Sequence, residues 1–86
     1  MIATAKLIDF AKVNGHYRFR IHAKDHNFYD AIEALKYRIP SRERAWDPET
    51  KTWSVRRTPA NEATLRAIFT NADHVITMVE AQLVLL

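Results

Sequence analysis

Residues 16–24, His16-Tyr17-Arg18-Phe19-Arg20-Ile21-His22-Ala23-Lys24, alternate strictly between basic and apolar side chains. Successive side chains of a strand point to opposite faces, so this period of two predicts a strand with Tyr17, Phe19, Ile21 and Ala23 on one side. The other side carries His16, Arg18, Arg20, His22 and Lys24, and no acid. One strand so divided already limits the fold. Its apolar face needs a layer of helices, and its basic face suits the open side of an antiparallel sheet. Like charges along one face repel, so a neighbouring acid such as Asp9, or a bound anion, is expected to offset them.

Asn14-Gly15 precedes this strand, and both residues tolerate positive φ, a strong two-residue hairpin signal. The arm before it, residues 2–13, is apolar-rich with Lys6, Asp9 and Lys12 interspersed, and reads as a strand. A second hairpin is expected around Ala45 to Val55, which holds both tryptophans. Pro48 presets φ at the first inner turn position, and Asp47 before it can accept a backbone hydrogen bond. A four-residue loop over residues 48–51 sets Asp47 opposite Thr52 and Trp46 opposite Trp53, with Arg44 and Val55 on the same face. At least one indole belongs in the core. An exposed indole beside an arginine would offer a surface on which a base or a peptide can stack.

Phe28, Ala31, Ile32 and Leu35 recur at helical spacing, which predicts a helix over residues 27–38 capped by Asp25 or Asn27 and stopped by Pro40. Thr58-Pro59 opens a second helix with Leu65, Ile68, Phe69 and Ala72 as its stripe and Asn71 as its stop. Val75, Ile76, Thr77 and Val79 favour a strand through about residue 79. The expected fold is α+β: one domain over residues 1–86, an antiparallel sheet with two helices on one face, in the order β-β-α-β-β-α-β.

The chain contains no cysteine, which rules out disulfides and thiolate metal sites and fits a cytoplasmic protein. A single glycine argues against a Gly-rich phosphate loop. No apolar run reaches membrane-span length, and no secretory signal is seen, so no membrane partner is expected. His22 and His26 are four apart, a spacing that converges on a metal only in a helix, whereas this stretch reads as strand end and loop. Glu43, Asp47 and Glu49 have plainer roles as turn formers or as partners of Arg42, Arg44 or Lys51. Ser41 and Ser54 lie in no nucleophile elbow. Neither catalysis, nor a cofactor, nor a metal is expected.

Charge is distributed unevenly. Residues 1–57 carry twelve Lys or Arg against seven Asp or Glu, whereas residues 58–86 carry only Arg66 against Glu62, Asp73 and Glu80. A basic front of this kind suits a polyanion. Nucleic-acid binding asks for cations along a backbone track and flat side chains for bases. Arg18, Arg20, Lys24 and Arg42 are candidates for the track, with Arg44, Lys51, Arg56 and Arg57. Trp53 is the candidate for stacking.

The stretch from Ile39-Pro40 to Val55 reads I-P-x-R-x-R-x-W-D-P-x-x-K-x-W-x-V. With Pro40, Arg44, Trp46-Asp47, Lys51 and Trp53 in place, it resembles HARP-type domains over roughly residues 28–69. Residues 1–26 and 74–86 fall outside the resemblance. Those domains accompany annealing helicases, and similar stretches stand at the front of bacterial and phage helicases. They resemble the single-strand-binding Pur-alpha repeat. The resemblance implies recognition of structured DNA such as fork junctions, in a DNA-repair setting. No ATPase is attached, so no remodelling activity is expected.

The expected function is therefore a small nucleic-acid-binding module for single-stranded or junction DNA, with little sequence preference. The alternative is a protein-interaction module, a phage-encoded inhibitor or a subunit tether. It would pair with a copy of itself or a larger partner through the apolar residues Leu83, Val84, Leu85 and Leu86.

Overall fold

The computed structural model describes residue 2 and residues 4–84, with side chains through residue 81. Four strands form one antiparallel sheet: β1 (Lys6–Val13), β2 (His16–His22), β3 (Arg44–Asp47) and β4 (Thr52–Arg56). Their spatial order is β1-β2-β4-β3. Helix α1 (Asn27–Arg38) and a short 3₁₀ turn, Ser41–Glu43, connect β2 to β3. Helices α2 (Pro59–Ile68) and α3 (Ala72–Val84) follow β4.

The alternating stretch forms β2 as its pattern predicts. Tyr17 and Phe19 are fully buried, while Arg20 and His22 are exposed. The core lies between the sheet and the helices. Leu7, Tyr17, Phe19 and Val55 meet Leu35 of α1, Leu65 and Ile68 of α2, and Ile76 of α3. Asn14 and Gly15 both take positive φ, 50° and 78°, and close the β1–β2 hairpin. Strand β1 begins at Lys6, not residue 2. The segment before it is held elsewhere: the Ile2 amide donates to the Ile68 carbonyl at 3.0 Å, and Thr70 donates to Ala5 at 3.0 Å. A bulge between Ile8 and Ala11 interrupts the pairing with β2. Asp9 takes φ 52° there, a conformation that Asp tolerates better than most residues. The extra residue lets Leu7 and Phe10 both face the core; Phe10 lies 5.0 Å from the Tyr17 ring.

The β3–β4 register matches the expectation: Arg44 with Val55, Trp46 with Trp53, Asp47 with Thr52. Asp47 Oδ1 accepts from the Glu49 amide at 3.0 Å, closing the turn. Helix α2 is capped by Thr58, whose hydroxyl accepts from the Asn61 amide at 3.0 Å, with Pro59 in the first turn. Helix α1 departs from its expected cap. His26 occupies the N-cap position without a side-chain bond; Asn27 instead donates to the Thr4 hydroxyl, and Asp25 takes φ 52° in the preceding turn.

The tail is the main difference. Residues expected as a strand form α3, giving three helices on the core side. Ala72, Val75, Ile76 and Val79 stand at i, i+3, i+4 and i+7, so the segment has a helical stripe as well as β-branched residues. Ala72 and Ile76 are fully buried against the rest of the core, and burial of that stripe outweighs intrinsic strand preference. The expectation placed on Leu83 to Leu86 concerns side chains outside the described residues. No helix among the described residues is long and apolar enough to cross a membrane.

Candidate nucleic-acid interface

All three helices pack on one side, so among the described residues the other side of the sheet is bare. Pairing places its side chains in rows across the strands. Lys6 stands opposite His22, and Ile8 opposite Arg20. Ala11, Arg18, Ser54 and Ala45 span all four strands. Val13, His16 and Arg56 form the last row. Each of the four rows has one residue of β2, which continues its alternation, and Arg56 joins because β4 runs antiparallel in that register. Along β2 the cations recur every second residue, a spacing of roughly 7 Å. Ile8 and Val13 are 41% and 37% exposed, so the face offers apolar as well as charged contact.

A depression of about 300 Å³ lies at one end of this face, lined by His16, Arg18, Arg42, Ala45 and Ser54 among others. Its lining has four cationic or titratable donors, His16, Arg18, Arg42 and Arg44, with a hydroxyl and one acid, Glu43. The Glu43 carboxylate accepts from Asn61 Nδ2 at 3.0 Å, which ties it to α2. Two further acids are near: Asp47, which pairs with Thr52 and so shares the bare face, and Asp9, whose carboxylate is 3.8 Å from Arg20 Nε with both side chains at least half exposed. Such a pair is weak and screened. Arg20 also donates to the Thr50 carbonyl at 2.9 Å, which orients it toward the β3–β4 turn. The Asp47 carboxyl is held below the ordinary carboxylate range by the Glu49 amide first, then by Thr50, with the Arg18 charge a smaller contribution.

The candidates therefore divide. Arg18, Arg20 and Arg56 lie on the bare face, with Arg42 beside them. Lys24 and Lys51 are exposed in the loops that follow β2 and precede β4. Arg44 shares the core side with Trp46 because it pairs with Val55. Its Nε donates to the Ile39 carbonyl at 3.0 Å, so its guanidinium closes the end of α1. Arg57 is also on the core side: Nη2 donates to Glu80 Oε1 at 2.8 Å, and Cζ sits 5.6 Å from the centre of the Tyr17 ring. Trp53 is only 6% exposed and cannot receive a base. The accessible indole is Trp46, at 46%, with ring centres 5.0 Å apart. The physical reason is sheet order: β4 is internal and β3 is the edge.

Lys6, His16 and His22 also belong to the bare face, although only arginines and lysines of later strands were candidates there. The alternation of residues 16–24 already carried the signal for both histidines. Lys6 needed the β1 register. No family model matches this chain, and comparison with curated proteins and with solved structures finds no match.

Proposed function

We propose that this protein is a non-catalytic nucleic-acid-binding module of the cytoplasm that takes single-stranded or junction DNA on the bare face of its sheet. One observation carries the reading: Lys6, Arg18, Arg20 and Arg56 share a surface that no helix covers, with His16 and His22 between them. Cations set at strand spacing beside small and apolar side chains suit a phosphate backbone with little base readout. The Trp-Asp-Pro-x-x-Lys-x-Trp hairpin, by which the chain resembles HARP-type domains, supports the same class of ligand. In this reading Arg18, Arg20, Arg42 and Arg56 contact phosphates, and Lys24 and Lys51 extend the track at the loops.

The test is binding of an oligo-dT strand and of a forked duplex over a salt series. Each phosphate neutralised contributes about 0.7 to the slope of log affinity against log salt on single strands. Arg18→Ala and Arg56→Ala are each expected to lower that slope by about 0.7 on oligo-dT. A flat salt response, or affinity unchanged in the Arg18→Ala/Arg56→Ala double variant, removes the reading.

A further inference from the structure

A slot between α1 and the edge of the sheet is unused by the bare face. Phe28, Ile32 and Lys36 stand at i, i+4 and i+8, one line along α1. Together with Arg44, Trp46 and Trp53 they line a cavity of about 460 Å³. Beside it runs β3, the last strand of the sheet, so among the described residues its outer main-chain groups meet no further strand. Apolar surface is exposed here: Trp46 is 46% exposed, and Tyr29, which packs edge-on against Phe28 at 5.6 Å, is 69% exposed. An unpaired edge next to an apolar slot is the arrangement by which a sheet accepts an added strand.

We propose that the slot binds an extended segment of a partner protein, added beside β3, in which large apolar side chains alternate with acidic ones. Alternate side chains of an added strand face opposite sides of the sheet. One set would enter the slot against Phe28, Ile32 and Trp46. The other would lie over the bare side next to Ala45, where Arg18 and Arg42 line the adjoining depression. The slot's charged lining residues are Lys36 and Arg44, with no acid among them, so its positive potential favours a segment of net negative charge over a basic one. A second copy pairing through its own β3 fits poorly. That strand presents Arg44 and Trp46 on the core side, so two Arg44 guanidinium groups would gather beside Lys36. Nucleic acid would not use the main-chain groups of the edge. The inference does not rest on the nucleic-acid reading, since the β3 edge, Phe28, Ile32, Lys36 and Trp46 carry it; only Arg18 and Arg42 are common to both.

The probe is a capped synthetic peptide of Asp alternating with Leu and Phe, against a control of equal composition with the apolar residues grouped. Tryptophan fluorescence and backbone amide shifts of the intact protein report binding. Saturable binding of the alternating peptide is expected, with shifts centred on Arg44 to Asp47 and on α1. Lys36→Glu, an exposed change, should weaken it about tenfold, and Trp46→Ala at least as much. Equal binding of the grouped control, or shifts confined to the bare face, overturns the proposal. So does a concentration-dependent dimer that shifts the same amides without peptide, because the occupant is then a second copy.

Discussion

Tyr17 combines complete burial with a polar tip held by charged neighbours. It is fully buried, and its hydroxyl lies between two carboxylates, donating to Glu62 Oε1 and standing 3.0 Å from Glu80 Oε1. A phenol has one hydrogen to give. The second carboxylate is offset instead by Arg57 at 2.8 Å and Lys12 at 3.4 Å from Glu80. Burial opposes the charge on Glu80, but its polar neighbours, the Tyr17 hydroxyl, the Arg57 hydrogen bond and charge, and Lys12, outweigh it and hold that carboxyl below its usual range. For Tyr17 burial and the Glu62 bond act together and raise the phenol well above the ordinary tyrosine value. A raised pKa makes this contribution to stability complete below about pH 10 and lost as pH rises further. Alkaline denaturation should therefore set in above about pH 10, and Tyr17→Phe should weaken that limb while costing about 1–3 kcal/mol at neutral pH, because the half-buried Glu62 carboxylate loses its donor. Urea unfolding at neutral and high pH measures both. Asn71 plays a comparable part: its amide exchanges two hydrogen bonds with the Leu7 main chain, each 2.8 Å, and so completes the ladder where β1 has no neighbour.

Among the elements, the β3–β4 hairpin separates folding from binding most cleanly. Lys51 takes φ 55° at the last turn position, where a side chain is strained. Lys51→Gly should raise stability by about 0.5–1 kcal/mol by relieving that strain, seen as a higher unfolding midpoint. The same change removes a cation from the proposed track and should lower DNA affinity about twofold to threefold. A variant that gains stability and loses affinity cannot be explained by misfolding. Helix α2 depends on its start. Thr58→Ala removes the cap on Asn61 and should cost about 1 kcal/mol. Asn61 is itself buried and bridges the Glu43 carboxylate and the Arg56 carbonyl, each at 3.0 Å. Losing the cap therefore also loosens the contact between α2 and the approach to β3.

At the level of the whole molecule, the sheet divides the chain's charges by role. Cations on the core side are engaged: Arg44 with the end of α1, Arg57 and Lys12 with Glu80. Among the described residues, those on the bare face have weaker ties: the loose Asp9 contact and the Thr50 carbonyl for Arg20, and the more distant influence of Asp47 on Arg18. The double variant Arg18→Glu/Arg56→Glu should therefore leave stability within about 0.5 kcal/mol of wild type, or raise it slightly by relieving like-charge repulsion. Oligo-dT binding should fall by more than about tenfold in the same protein. Calorimetry and a binding titration on one sample decide this; a large stability loss would mean that the face is structural.

Local sequence determined whatever depends on neighbours a few positions apart. The nine-residue alternation set the strand and its charged face, Asn14-Gly15 and Asp47 to Lys51 set the turns, and Thr58-Pro59 set the start of α2. The pairing of Trp46 with Trp53 followed from loop length alone. Tertiary structure decided the rest, because those outcomes depend on which element lies beside which. Residues 72–84 are compatible with strand or helix, and only a core waiting for Ala72 and Ile76 makes them α3. The order β1-β2-β4-β3 puts Trp53 inside and Trp46 at the edge, and the register that sets Arg44 against Val55 turns its guanidinium toward α1 and away from the open face. Side-chain direction along a strand is a local property, whereas exposure belongs to the assembled sheet.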